Sequence, residues 1–209
     1  MKFVQYTNDY LGLLEKYFDN PNTPLNNNSH KAFKTHLYNG ETGILGMLID
    51  NEEIVAVSSA VVVIENGISS CKYPHRLHVR NDYSYITSKF IDQHWDPMLF
   101  DWLYEKNIKN VYCTFNIDNP KAFLWACKRH SRRIKNNSNI NKFGKTILNN
   151  KWYVYNAIVD EMYTPQYLLY SSPNNDWFFP WRTENKISDE VKTVLDKTFE
   201  YTPLRGWII

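Results

Sequence analysis

The sequence predicts a mixed α/β (α+β) fold, a mostly antiparallel central sheet with helices on both faces. Three observations predict it. Gly43–Asp50 and Ile54–Ile64 are apolar runs, the second rich in β-branched residues, and the polar turn Asn51–Glu53 separates them as in a hairpin. Helical patterns then alternate with short apolar runs through the middle of the chain. A second pair of runs, Gly144–Leu148 and Trp152–Val159, flanks the turn Asn149-Asn150. Hairpins at both ends and helices between strands give a mixed sheet covered on both sides.

Taken in order, Phe3–Tyr6 reads as an edge strand. Asp9 is placed to cap a helix whose Leu11, Leu14, Tyr17 and Phe18 share a face, and Asn20-Pro21-Asn22-Thr23-Pro24 stops it. Ser29 opens a second short helix through Phe33 and Leu37, ended by Asn39-Gly40. After the first hairpin, Asn66-Gly67 marks a turn, and Leu77–Val79 is a short strand. On that strand Leu77 and Val79 point to one face, and Arg76, His78 and Arg80 to the other. A helix is expected over Pro97–Lys106, with Thr87–Gln93 as earlier turns broken near Asp96-Pro97. Val111–Phe115 is a strand. Asn119 caps a helix over Pro120–Lys128, with proline at its favoured first position. Arg129–Asn141 is polar and reads as a loop. From Pro165 onward the chain reads as irregular until a helix near Ser188–Phe199. The division expected is one domain over 1–164 and an aromatic-rich extension over 165–209, packed on the domain or on a second copy.

Bulk properties narrow the function classes. A chain of 209 residues with 43% hydrophobic and 16% aromatic content buries a real core without staples and is not globally disordered. A net charge of +2 gives no reason to expect a nucleic-acid partner. Cys71, Cys113 and Cys127 form an odd set without framework spacing, which fits a reducing, cytoplasmic compartment. The longest apolar run, about a dozen residues, is too short to cross a bilayer, and Met1–Tyr6 lacks a signal-peptide core.

The order of elements from Phe3 to Val159 resembles the GNAT superfamily of N-acetyltransferases. In that family the fourth strand and its phosphate-gripping loop read Val, any residue, Pro, Glu, Tyr, Arg, Gly, Lys, Gly, hydrophobic, Gly. The aligned run here is Val79-Arg80-Asn81-Asp82-Tyr83-Ser84-Tyr85-Ile86-Thr87-Ser88-Lys89. Val79, Asp82 and Tyr83 fit, while Tyr85, Thr87 and Lys89 stand where the glycines belong. Glycine lets backbone N–H groups approach a pyrophosphate closely, so side chains there crowd the phosphates, with Lys89 as a compensating charge. Further on, Asn119 and Ala122 fit the family pattern, Trp125 replaces a leucine, and Ala126 replaces the tyrosine that often protonates the departing thiolate.

The resemblance implies an N-acyltransferase that moves an acetyl or other acyl group from acyl-CoA to an amine by direct attack. The acceptor would be a small molecule or a protein amine. It implies Leu77 and Val79 along the pantetheine arm, Ser84, Tyr85, Ile86, Thr87, Ser88 and Lys89 facing the pyrophosphate, and Asn119 at the cofactor. His78 would sit where amine and thioester meet, a neutral imidazole able to take an ammonium proton; the competing reading is a packed histidine. The alternative at the level of the whole chain is a GNAT-fold protein that has lost CoA binding and serves as a structural or interaction module.

Other groupings are weaker. His75 and His78 are three apart on a strand and face opposite ways, so no metal site is expected. Lys128–Lys135 is the densest basic run and reads either as a phosphate or nucleic-acid contact or as a solvated helix end. Trp177-Phe178-Phe179-Pro180-Trp181 reads as an intramolecular strap or as the contact of a homodimer.

Overall fold

The computed structural model describes residues 1–20, 42–65, 67–136, 139–149, 151–157, 166–171, 187–202 and 206–209. The helix expected after Ser29, the cluster Trp177–Trp181 and the 164/165 division lie outside them. The chain forms two compact units, Met1–Asn107 with Asn139–Asn141, and Ile108–Ser138 with Lys142–Ile209.

The first unit is built on an antiparallel meander of β1 (Lys2–Gln5), β2 (Gly43–Asp50), β3 (Glu53–Glu65) and β4 (Ile68–Val79). Asp50 pairs with Glu53, so Asn51 and Glu52 alone make the β2–β3 turn. Both have positive φ, 47° and 62°, as a type I′ turn requires. Asparagine accepts that conformation readily. Glutamate does not, and it stores about 1 kcal/mol of backbone strain there. Between the pairs Ser59–Arg76 and Val61–Lys72, β4 holds more residues than β3, a bulge around Pro74, which has no N–H to give the ladder.

The two faces of this sheet are covered separately. Helix α1 (Leu11–Asp19) turns Leu14, Tyr17 and Phe18 onto Val4, Leu45, Met47, Ile54 and Val57. Full burial of each aliphatic side chain is worth about 1.5–3 kcal/mol. Phe3 and Gly46 alternate with these residues and so face the other side. There the chain winds from a 3-10 turn (Asn81–Ile86) into α2 (Thr87–Phe90), a π turn (Ile91–Trp95) and α3 (Asp96–Glu105). The break expected at Asp96-Pro97 is therefore a π turn instead. Widening the helix before Pro97 accommodates its missing N–H without ending the helix.

Gly46 marks the closest approach on that face. A Cβ there would lie 2.9 Å from Met98 Cε and 3.0 Å from two Phe3 ring carbons. The Met98 methyl can swing away, but the Phe3 ring packs between Phe90 and His94, at centroid distances of 6.1 and 5.2 Å. Gly46→Ala is expected to destabilise the protein by about 1–3 kcal/mol through overpacking. Urea unfolding should show a lower midpoint with an unchanged slope. An unshifted midpoint would mean that the helical layer is looser than its contacts suggest.

The second unit carries β5 (Asn110–Asn116), α4 (Pro120–Asn136), α5 (Lys142–Asn149), β6 (Trp152–Ala157), β7 (Gln166–Ser171), α6 (Asp189–Thr198), β8 (Glu200–Thr202) and β9 (Gly206–Ile208). Its strands run β5-β7-β6-β9-β8, each pairing antiparallel. Phe123 stacks on Tyr167 at 4.5 Å between ring centroids. Trp152 Nε1 donates to the Ile147 carbonyl at 3.3 Å, and Trp207 Nε1 to Asp196 Oδ1 at 2.8 Å, so two buried indoles are satisfied. Ser188 caps α6, its Oγ accepting from the Val191 N–H at 3.4 Å.

Three expectations are corrected here. The loop expected over Arg129–Asn141 is helix as far as Asn136. Phe123, Cys127 and His130 are buried at spacings of four and three, which keeps the helix seated beyond Lys128. Gly144–Leu148 lies in a helix, not a strand, with Gly144, Ile147 and Leu148 buried on one side. The partner of Trp152–Ala157 is instead Gln166–Ser171, in the stretch that read as irregular. In addition, Leu77–Val79 is the end of a strand that begins at Ile68.

Candidate active site

The side chains with most chemistry in the first unit gather at the end of β4. His78 pairs with Val57 across the ladder, on the face that α1 covers. Tyr17 reaches down from the last turns of α1, and its Oη and His78 Nδ1 share a hydrogen bond. A cavity of about 350 Å³ opens beside them, with Leu13, Lys16, Asn20, Glu52 and Arg80 in its wall. That volume suits a small molecule. The strained turn residue Glu52 and its neighbour Glu53 contribute carboxylates to the same wall.

Burial sets the protonation states. Burial pushes the Tyr17 phenol above its ordinary value, opposed by the lesser effect of the Arg80 charge, so Oη keeps its proton. Burial pushes His78 below its ordinary value of 6.5, so the imidazole is neutral at pH 7. A protonated phenol beside a neutral ring donates to Nδ1, which places the ring proton on Nε2. Arg80 is fixed by two carboxylates, Nη1 to Glu53 Oε2 and Nη2 to Asp82 Oδ2, each at 2.7 Å. These bonds hold the guanidinium above its usual range and Asp82 below the usual carboxylate range.

The expected phosphate-facing residues follow directly. Ser84, Tyr85 and Ile86 lie in the 3-10 turn, and Thr87, Ser88 and Lys89 in α2. Ser84, Tyr85, Ser88 and Lys89 are exposed, whereas Ile86 is buried in the core. The turn uses some backbone donors itself: the Tyr83 N–H goes to the Arg80 carbonyl and the Thr87 N–H to the Ser84 carbonyl. Tyr83 Oη donates to Asp50 Oδ2 at 2.8 Å, tying the turn to the end of β2. A pyrophosphate at this helix start would thus be met by the exposed Lys89 and by hydroxyl groups more than by a backbone cradle.

The structure brings His78, Leu77 and Val79 onto one strand and leads that strand into Ser84–Lys89. Leu77 and Val79 are half-buried on the face opposite His78. Asn119 belongs to the second unit. Its Oδ1 accepts from the Ala122 N–H at 3.2 Å, which makes it the cap of α4. Tyr17 is the partner that sequence reasoning missed. It is visible there only as one of four residues on the apolar face of that helix.

No family model matches the chain, and no curated protein does. Among solved structures, a chimera of the Vibrio cholerae spermidine N-acetyltransferase SpeG with hSSAT matches over 83% of this chain and 96% of its own, at 9% identity and a TM-score of 0.50. The chain has a GNAT-like fold. Similar also are a GNAT-family acetyltransferase from Staphylococcus aureus Mu50 and PseH, an N-acetyltransferase from Campylobacter jejuni in complex with acetyl coenzyme A. The first shares 16% identity over 81% of this chain and 97% of its own, with a TM-score of 0.46. The second shares 12% over 82% and 98%, with a TM-score of 0.44. β4 leads into the 3-10 turn Asn81–Ile86, and His78 stands one residue before the end of the strand.

Proposed function

We propose that this chain is an N-acyltransferase that moves an acetyl or other acyl group from acyl-CoA to an amine by direct attack. The observation that carries the reading is the hydrogen-bonded pair of Tyr17 and neutral His78 in a cavity at the end of β4. The acceptor, a small-molecule amine or a protein amine, enters this cavity as an ammonium ion. Glu52 and Glu53 complement its charge. Tyr17 Oη takes the ammonium proton as it passes its own to His78 Nδ1, so the pair acts as one general base. Bound acyl-CoA supplies the acyl group as a thioester. Main-chain groups of Leu77 and Val79 line the pantetheine arm, and Ser84, Tyr85, Thr87, Ser88 and Lys89 face the pyrophosphate, while Ile86 anchors their turn in the core. The free, buried thiols Cys71, Cys113 and Cys127 suit a reducing cytoplasm. The extension over 165–209 packs on this domain rather than on a second copy, as the pairing of its β7 with β5 and β6 supports, and mass in solution distinguishes the two.

The experiment is turnover of acetyl-CoA with a panel of amines, read as free CoA thiol and as the mass of the product. Thiol release that depends on an amine supports the reading. Neither thiol release nor a rise in melting temperature with millimolar acetyl-CoA would overturn it. The fold would then serve as a structural or interaction module without CoA, the outcome that Tyr85, Thr87 and Lys89 in the glycine positions favour. Where CoA binds, Lys89→Ala should weaken it about tenfold, since one charge-assisted contact is worth about 1.5 kcal/mol. Calorimetry showing tight binding indifferent to this change would remove Lys89 from the site.

A further inference from the structure

Helix α4 is charged in a way that acyl transfer does not use. Its residues Lys121, Lys128, Arg129, Arg132, Arg133 and Lys135 are six cations, and it contains no carboxylate. The whole chain has a net charge of only +2, so the remaining residues are net negative. A sequence-wide average therefore hides a concentrated positive element. The expectation of a solvated loop after Lys128 hid it further, because a loop would scatter these charges. A helix that continues to Asn136 keeps them on one element.

Helical geometry separates two sides. Phe123, Cys127 and His130 are buried on one. Lys121, Trp125 and Lys128 are exposed and, at 100° per residue, fall within a narrow stripe on the other. The stripe they form is about 10 Å long at 1.5 Å per residue. Trp125 is 42% exposed within it. The Arg129 guanidinium lies over its ring, 5.3 Å from the centroid. A large aromatic face left in water among cations is what stacking on a base requires, while the cations meet the phosphates on either side. A lipid surface would instead need a row of outward apolar residues, and among the described residues of α4 Trp125 is the one large apolar side chain that is exposed, while Phe123 and Cys127 are buried.

We propose that the outer face of α4 binds single-stranded nucleic acid, with phosphates on Lys121 and Lys128 and a base stacked on Trp125. This activity is separate from acyl transfer. The test is fluorescence anisotropy of labelled oligo(dT) and oligo(U) with the full chain across about 50–200 mM salt. Binding should weaken with salt, the logarithmic slope being about −0.7 for each phosphate contact. Trp125→Ala should weaken binding about tenfold and leave that slope unchanged, as expected for a lost stack of about 1.4 kcal/mol. Trp125→Phe should restore most of it. Lys121→Ala and Lys128→Ala should each lower the slope instead. All three residues have exposed side chains, and unchanged thermal melting confirms that the variants fold. No binding at 50 mM salt with 100 μM protein overturns the proposal. So does binding that Trp125→Ala leaves unaltered, which would mark diffuse attraction to polyanions. Capture by phosphatidylserine vesicles with no oligonucleotide binding overturns it as well.

Discussion

His78→Ala is expected to lower kcat/KM for amine acylation by about a hundredfold or more, the usual loss when a positioned general base is removed. The Tyr17 hydroxyl touches both the cavity and His78 Nδ1, so Tyr17→Phe should cost about tenfold by breaking the path between acceptor and base. The double variant discriminates the mechanism. If Tyr17 works only through His78, the double variant should be no slower than His78→Ala alone, because groups that act as a unit do not add. An additive loss would mean two independent contacts. A folded His78→Ala protein with near-native kcat/KM would end the proposed role and leave His78 as a packed histidine.

The same pair predicts a pH signature. Burial holds His78 below its ordinary value of 6.5 in the folded chain, and burial with the Lys89 charge does the same to His94. As pH falls, the unfolded chain takes up these protons first. Stability from keeping the rings neutral is therefore fully present above pH 6.5 and is lost as pH falls through their folded values. Activity should follow the same acid limb, falling at a pH below 6.5 and staying level through pH 7. A limb centred above 6.5 would contradict neutral burial.

Local signals made much of this legible in the sequence. Two apolar runs around a short polar turn identified β2 and β3, and Asn119-Pro120 and Ser188 marked two helix starts, because caps and turns act within four residues. The GNAT-like order was readable from those pieces. Where the reading failed, tertiary burial had overruled local pattern. His130 holds a core position in α4, so the apolar period looked finished at Cys127. Thr146 and Ile147 suggested a strand, yet Gly144, Ile147 and Leu148 bury one helical side. Tyr167, Leu168, Leu169 and Tyr170 are all buried, so β7 shows no polar alternation to betray a strand. At the site, His78 was legible from its place on the strand. Its partner was not, because Tyr17 lies 61 residues away and looks like any other aromatic on a helix face.

Deleting 166–209 is expected to unfold the second unit, although it removes no residue of β5 or β6. The reason is position. β7 lies between those two strands, pairing Val111 with Ser171 and Asn116 with Gln166 on one side, and Trp152 with Ser171 and Ala157 with Gln166 on the other. Without β7, β5 and β6 lose the ladder that joins them, and each exposes a row of backbone donors and acceptors. Tyr167, Leu168, Leu169 and Tyr170 also leave the core, where Leu168 and Tyr170 pack with Tyr112 and Tyr153. Burial worth about 1.5–3 kcal/mol for each such side chain sums to an amount comparable with the whole stability of a typical domain, about 5–15 kcal/mol. Hydrogen exchange is the measurement: amides of 111–116 and 152–157 should lose protection in the truncated chain. Leu169→Pro is the graded version, removing one N–H from a strand bonded on both sides and costing about 3 kcal/mol or more. If 1–165 keeps those amides protected and its melting temperature unchanged, β7 is a dispensable addition to the sheet rather than its connecting strand.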